Sequence, residues 1–280
     1  MSGKRKVIAV VSDLHCGSTV GLHPPQDTDL DDGGTYTPSK AQRWLWEHWT
    51  AFWARARQAA KGADLHIVCN GDAVDGDHHG TPQIVSRHPL IQYEILKACW
   101  EPILDAGPVK SFVVVRGTEV HVGPLGSAEE SFGRWLAGRG IPVAKEPGTK
   151  NHSQWHFRGK YGALTVDATH HGRMGTRPWT KLSGVATLAA QIVMEYANEG
   201  ERPPRLALRS HYHQITDTYN NFPTRVIQTP AWQLGTAYVH RIAPESLADV
   251  GGLIITTDGT DYDVETYLAR PARSPIWSAP

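Results

Sequence analysis

The chain has 280 residues, in which 28 Lys plus Arg balance 28 Asp plus Glu for a formal net charge of zero. That balance argues against a protein whose main work is coating duplex DNA through a basic face, and three scattered cysteines, Cys16, Cys69 and Cys99, argue against a disulfide framework. The first apolar run, Val7–Val11, is too short for a signal-peptide core, and no stretch approaches the roughly 18 apolar residues of a membrane span. The expectation is a soluble, cytoplasmic protein.

In chain order, Val7–Val11 reads as a buried strand. Residues 39–62 place Leu45, Trp49, Phe52, Trp53 and Ala56 on one face at helical spacing, with Ser39 as cap and Gly62 as stop. The tryptophans of that helix read as core rather than as a base-stacking platform. A strand over 63–70, a helix over 90–107 and a strand over 110–115 come next. Ser127 and Glu130 have the spacing of a capping box for a helix starting there. "SQWHFRG" and "ALTVDAT" then flank a turn at Lys160-Tyr161-Gly162 like a hairpin. Leu182, Val185, Leu188, Ala189, Ile192, Val193 and Tyr196 make an amphipathic helix, and "RLALRS", "TRVIQT", "GGLIITTDG" and "DYDVETYLA" read as strands. This alternation predicts one α/β domain over residues 1–270, with helices outside β-layers, and an irregular Pro-rich tail at 271–280.

The residues just past each apolar strand carry the chemistry. The strand ends lead into Ser12-Asp13-Leu14-His15, Asn70-Gly71-Asp72-Ala73-Val74-Asp75, Gly117-Thr118-Glu119-Val120-His121, His170-His171-Gly172 and His211-Tyr212-His213. Turn chemistry explains any one of these. Five in the same structural position point to a shared crevice, because the carboxyl ends of strands in α/β sheets border one ligand site. Mixed carboxylate and imidazole donors suit Zn, Mn or Fe. Asp13 and His15 are two apart and share a face, as do His211 and His213. Asp72 could bridge two ions about 3.5–4 Å apart.

The order D-x-H, G-D-x-x-D, a Gly/His loop, H-G and H-x-H resembles the calcineurin-like metallophosphoesterases, whose pattern is D-x-H, G-D-x-x, G-N-H-[DE], H and G-H-x-H. The match runs from Asp13 to His213, and "RGTEVHVG" and "THHGRMG" look most like the members carried by phages and prophages. The resemblance implies an αββα sandwich with two divalent ions at the sheet edge, Mn²⁺ first and Zn²⁺ or Fe²⁺ as alternatives. It implies hydrolysis of phosphodiester or phosphomonoester bonds through a metal-bridging hydroxide. Carried over by position, Asp13, His15, Asp72 and His213 hold the first ion. Asp72, His171, His211 and a replacement for the family asparagine hold the second.

The chain departs from the pattern twice. Ser210 replaces the glycine of G-H-x-H, and G-T-E-V-H replaces G-N-H. Thr118 stands at the asparagine's position with a hydroxyl, while Glu119 offers a carboxylate; Glu119 is the preferred second-ion ligand, and His171 is preferred over His170 on the family's His-Gly. His121 takes the family histidine's place as general acid to the leaving oxygen. Asp75 orients its loop, His66 and His156 are structural, and His78 and His79 read as an exposed loop, with lining of the substrate cleft as the lesser alternative. Arg173 and Arg177 could hold a substrate phosphate bidentately, against a plain surface role. The acidic run Asp27, Asp29, Asp31 and Asp32 lacks the glycine and glutamate of a calcium loop and reads as solvated. The expected partner is a phosphoester, with a nucleotide or nucleic-acid end slightly favoured, and no membrane. The rival is a catalytically degenerate member of the same fold kept as a binding scaffold, with the altered G-N-H block as its symptom.

Overall fold

A computed structural model of the chain describes residues 4–78, 80–175 and 177–272. The apolar run at the start forms β1 (Lys6–Val11), followed by a small hairpin, β2 (Thr28–Asp29) and β3 (Thr35–Tyr36), over the exposed acidic loop. Helix α1 (Lys40–Ala59) starts at a full capping box. The Ser39 hydroxyl accepts from the Gln42 amide, and the Gln42 side chain accepts from the Ser39 amide. Next come β4 (Asp64–Asn70), α2 (Pro89–Asp105), β5 (Ser111–Val115), the single turn α3 (Glu119–Val122) and α4 (Ser127–Gly138). The second half holds β6 (Phe157–Tyr161), β7 (Leu164–His171), α5 (Lys181–Asn198), β8 (Leu206–Ser210), β9 (Thr216–Asp217) and β10 (Arg225–Gln228). It closes with α6 (Ala237–Ile242), β11 (Val250–Thr257) and β12 (Tyr262–Ala269).

Two five-stranded sheets result, ordered β12-β11-β1-β4-β5 and β6-β7-β8-β10-β9. Their facing sides bury Ile8, Val10, Val68, Val113 and Val115 against Val166, Ala168, Leu206, Leu208 and Ile227. The other side of the first sheet presents Val7, Ala9 and Val11 to the aromatic faces of α1 and α2, where Trp49 packs edge-to-face on Trp100 and Trp232. Burial on both sides is why β1, β4 and β5 read as continuous apolar runs, each fully buried large side chain contributing about 1.5–3 kcal/mol. Helix α5 covers the far side of the second sheet through Val185 and Ala189 on Ala207 and Val226. The layer order is helix, sheet, sheet, helix: an αββα sandwich, as expected.

Three local expectations shift. Helix α4 has no capping box: Gly126 precedes it in the left-handed region, Ser127 donates its hydroxyl to Val122 O, and Glu130 accepts from Ser153 and the His152 amide. The β6–β7 hairpin turns at Gly162-Ala163, one residue later than its sequence reads, because Tyr161 still pairs with Leu164. Leu182, expected in the α5 core, is exposed. Of the expected tail, residues 273–280 lie outside the described ones. No described helix is long and apolar enough to cross a membrane.

β1, β4 and β5 run parallel, as do β7, β8 and β10, so their carboxyl ends gather at one edge of each sheet. The two edges meet where the Asn70 amide group donates to Thr169 O at 3.0 Å and to Ser210 Oγ at 2.6 Å.

Candidate metal centre

Five residues leaving those strands have a left-handed backbone: Asp13 (φ 52°), His15 (45°), Asp72 (51°), His211 (81°) and His213 (55°). Only two other described non-glycine residues do, Leu125 and Tyr219. Each such residue costs about 1–2 kcal/mol, and strain of this kind clusters at active sites and ligand clamps. Backbone hydrogen bonds hold it in place: Asp13 N to Gly71 O at 2.9 Å, His15 N to Asp72 O at 3.0 Å and Trp232 N to Asp13 O at 3.0 Å. Beneath lies a buried hydroxyl belt, with Thr229 Oγ1 2.8 Å from both Ser12 Oγ and Ser210 Oγ. Ser12 and Ser210 immediately precede Asp13 and His211, so the belt joins the two ligand-bearing edges through neutral contacts. Ser210, in place of a glycine, gives the belt its link to Asn70.

On one side, His213 Nε2 lies 3.3 Å from Asp13 Oδ1, and His15 Nε2 lies 4.0 Å from Asp72 Oδ2. His15 Nδ1–H donates to Asp75 Oδ1 at 3.0 Å, which turns Nε2 toward the cluster. Gln233 donates to the same carboxylate at 3.2 Å. On the other side, His170 Nδ1–H donates to Asn70 O at 2.8 Å, and its Nε2 lies 2.9 Å from Asp72 Oδ2 and 3.9 Å from Asp13 Oδ1. His211 Nδ1 approaches Thr118 Oγ1 at 3.2 Å.

The loop after β5 explains its two additional residues. A Cβ on Gly117 would come within 2.1 Å of Asp72 Oδ1, so only glycine lets the loop backbone reach that carboxylate. Thr118 then donates its amide to Asp72 Oδ1 at 2.6 Å and its hydroxyl to Asp72 Oδ2 at 3.2 Å. Glu119 and Val120 open the α3 turn and point out into solvent, while His121, one helical turn after Thr118, returns to the cluster. His121 Nδ1–H donates to Asp75 O at 2.6 Å, and its ring stands edge-on to His15 at 4.6 Å and to His78 at 4.4 Å.

The chemistry of these donors fits divalent cations. Asp13 Oδ1, His15 Nε2 and His170 Nε2 are buried without a hydrogen-bond partner, although oppositely charged atoms stand near each. Ligand atoms of Asp13, His15 and His213, of His15, Asp72 and His121, and of Asp72, His170 and His211 each fall within 4.8 Å of one another. Burial raises the Asp13 carboxyl, but His170 and His213 pull it down to about 2; Asp72 is held well below the carboxylate range against burial, chiefly by His170. Burial opposes protonation of His170, yet Asp72 and Asp13 push it up to about 10. Burial and His15 lower His121 to about 4, and burial and His170 lower His211 to about 4. Without cations the carboxylates trap protons on the deepest imidazoles; bound cations would take the place of those protons.

Asp13, His15, Asp72, His211 and His213 therefore come together, and His121 and Asp75 stand beside them. Two of the residues preferred from the sequence stand apart from the buried cluster. Glu119 is exposed and outside the cluster, because it begins a helical turn, and Thr118 occupies the position beside Asp72. Of the histidine pair, His170 is the buried one against Asp72, while His171 is exposed, its Nε2 3.4 Å from Thr118 Oγ1. The alternation Leu164, Val166, Ala168 facing inward already pointed to His170. His78 takes the lesser alternative, lining the cleft with Nε2 3.6 Å from Asp75 Oδ1; His79 lies outside the described residues. Gln233 was missed, and no sequence signal marks it. Arg173 is exposed beyond β7. His66 is structural, bonded to Ser111 Oγ at 2.8 Å, and His156 pairs with Asp167.

No family model and no curated protein matches the chain. Among solved structures it is similar to Vps29 from Chaetomium thermophilum, at 10% identity and TM-score 0.40 over 97% of this chain and 100% of that one. A predicted phosphoesterase from Streptococcus pneumoniae TIGR4 gives 11% identity and TM-score 0.38 over 94% and 90%. A dimetal phosphatase from Danio rerio gives 10% and 0.39 over 93% and 98%. These likenesses are distant, and the reading of the site rests on its own geometry.

Proposed function

We propose that the chain is a phosphoesterase dependent on two divalent metal ions, acting on phosphodiesters in preference to monoesters. The observation that carries this reading is the convergence of Asp13, His15, Asp72, His170, His211 and His213 in one crevice, with buried donor atoms lacking partners. Asp13, His15, Asp72 and His213 hold the first ion; Asp72, His170 and His211 hold the second, with Thr118 as the neighbouring oxygen and His171 at the rim. Such ions supply Lewis-acid polarisation of a phosphoryl oxygen and acidify water; mixed oxygen and nitrogen donors suit Mn²⁺, Zn²⁺ or Fe²⁺, and Mn²⁺ is the ion to test first on the family resemblance.

The protein's own groups do the positioning and the proton handling. Asp75 fixes the His15 tautomer. With Nδ1–H committed to Asp75 O, His121 has Nε2 left to exchange a proton with the leaving oxygen. An anionic ester beside it opposes the burial that keeps His121 neutral, so its proton affinity rises when substrate is present.

Purified protein with Mn²⁺ should hydrolyse bis-p-nitrophenyl phosphate. Asp72→Asn, whose amide tolerates the left-handed backbone, should keep the fold and lose about 10³-fold or more of the turnover. Full turnover in that variant would sink the reading. Binding of two ions with no turnover on a panel of mono- and diesters would favour a binding scaffold instead.

A further inference from the structure

A cavity of about 860 Å³ opens onto the centre, bounded at its inner end by His15, Asp72, His121, His211 and His213. Its outer wall is the excursion between β10 and β11. That segment leaves and returns at one point, where Ala231 N donates to Asp249 O at 2.9 Å and Gly251 N to Ala231 O at 3.0 Å. Both stems hang on the ligand loops: Trp232 N on Asp13 O at 3.0 Å, and Asp249 N on His213 O at 2.9 Å. Ala237 N also donates to Gln83 Oε1 at 2.6 Å, across the cavity mouth. The wall is thus fixed relative to the reacting position.

Its chemistry is specific. Tyr212, between the two H-x-H histidines, and Tyr238, on α6, both line the cavity and are exposed. The Arg241 guanidinium stands 5.6 Å from the Tyr238 ring centre and is the charged lining group beyond Asp72 and Asp75. Gln214, 6% exposed, lies at the edge of the same space with its amide directed into the wall, Nε2 donating to Leu247 O at 3.4 Å.

Resting on the phosphoesterase reading, we infer that this cavity is a nucleoside subsite, and that the substrate is a phosphodiester with one nucleoside arm. A small monoester would leave most of the volume empty, whereas pockets of about 300–1,000 Å³ suit ligands of nucleotide size. Two exposed tyrosine rings with an arginine suit the flat face of a base. An alkyl arm would make no use of the tyrosine rings or of the Arg241 charge beside them. Hydrolysis breaks the P–O bond to the leaving arm and forms one to the oxygen of water, whose proton ends on the leaving oxygen. The nucleoside arm stays on phosphorus as a nucleoside monophosphate.

The test compares thymidine 5′-(p-nitrophenyl phosphate) with bis-p-nitrophenyl phosphate, which share a leaving group and differ in the retained arm. With Mn²⁺, kcat/KM should favour the thymidine diester by about tenfold or more, mainly through KM. That ratio should fall toward one in Tyr238→Ala and in Arg241→Ala. A ratio near one in the unaltered protein, or one unmoved by Tyr238→Ala, overturns the subsite. Hydrolysis of neither diester refutes the phosphoesterase reading instead. Calorimetry with thymidine 5′-monophosphate and the Mn²⁺-loaded protein then decides the subsite separately: weaker binding in Tyr238→Ala supports it, and no binding to the unaltered protein overturns it.

Discussion

Around Asp13, His15 and His213 the donors come two residues apart from strand exits, on left-handed backbone, and Asp75 locks the tautomer of His15. Around His170, His211 and Thr118 the backbone is less uniform. One donor ends a strand whose register slips between Ala168 and His171, and another caps a four-residue helix. The first half is made of carboxylate and imidazole; the second shares Asp72 but meets a hydroxyl, a weaker donor. Two ions should therefore bind with different affinities, the tighter one at the first half.

The largest effect separates the halves. Asp13→Ala should remove the tight ion and about 10³-fold or more of the turnover, whereas Glu119→Ala should stay within about twofold, because an exposed helix-start carboxylate touches nothing at the centre. Equal losses in the two variants would return Glu119 to the ligand set and break the contrast.

The same contrast explains what was legible in the sequence. A D-x-H or H-x-H just past an apolar strand is marked by its position at the strand's carboxyl end, so Asp13, His15, His211 and His213 could be placed at the crevice, although the left-handed turns that aim them left no sequence signal. The sandwich was legible too, because strands buried on both sides are continuous apolar runs. The second half depends on where a turn begins. Glu119 looked the better donor by charge, but the backbone enters a helix at that residue and carries it outward. That His170 and not His171 is the buried one was decidable from the alternation of Leu164, Val166 and Ala168, a local signal that the expected His-Gly pattern outweighed. Gln233 and the hydroxyl belt bring together residues about 160 and 220 apart in sequence, for which periodicity has no signal.

His121 belongs to neither half and tests the boundary between ligand and proton carrier. Titration calorimetry with His121→Gln should still find two ions while kcat falls by about 10²–10⁴-fold, the range for a lost general acid. Loss of one ion would make His121 a ligand, consistent with its place within 4.8 Å of His15 and Asp72 donor atoms.

Thr118 offers a gentler probe. If its hydroxyl is the weak point of the second half, Thr118→Ala should weaken the looser ion by about tenfold and leave the tighter one untouched. Thr118→Asn, which adds an amide oxygen at that position, should tighten it. Equal effects of Thr118→Ala on both ions would mean that the residue acts through the Asp72 carboxylate it hydrogen-bonds.

Glu129 gives the smallest effect, and it acts on Asp72, the residue both halves share. Its side chain is fully buried on α4; Oε1 accepts from Ala73 N at 3.3 Å and Oε2 has no partner. Burial, and then the Asp72 charge, push its carboxyl up to about 8. Above about pH 4.5 the unfolded chain releases this proton while the folded chain keeps it. Folded protein then binds more protons, so stability falls as pH rises from about 4.5 to 8 and levels off beyond. Glu129→Gln removes the titration and keeps the shape, so its advantage over the unaltered protein should be near zero at pH 4.5 and grow to about 4 kcal/mol by pH 8 in EDTA. Cations beside Asp72 weaken the repulsion, so the advantage should shrink with Mn²⁺ present. Urea midpoints from pH 4.5 to 9 read both differences. A constant gap would mean that Glu129 is already ionised in the fold, and that Asp72 feels a second carboxylate whether or not cations are bound.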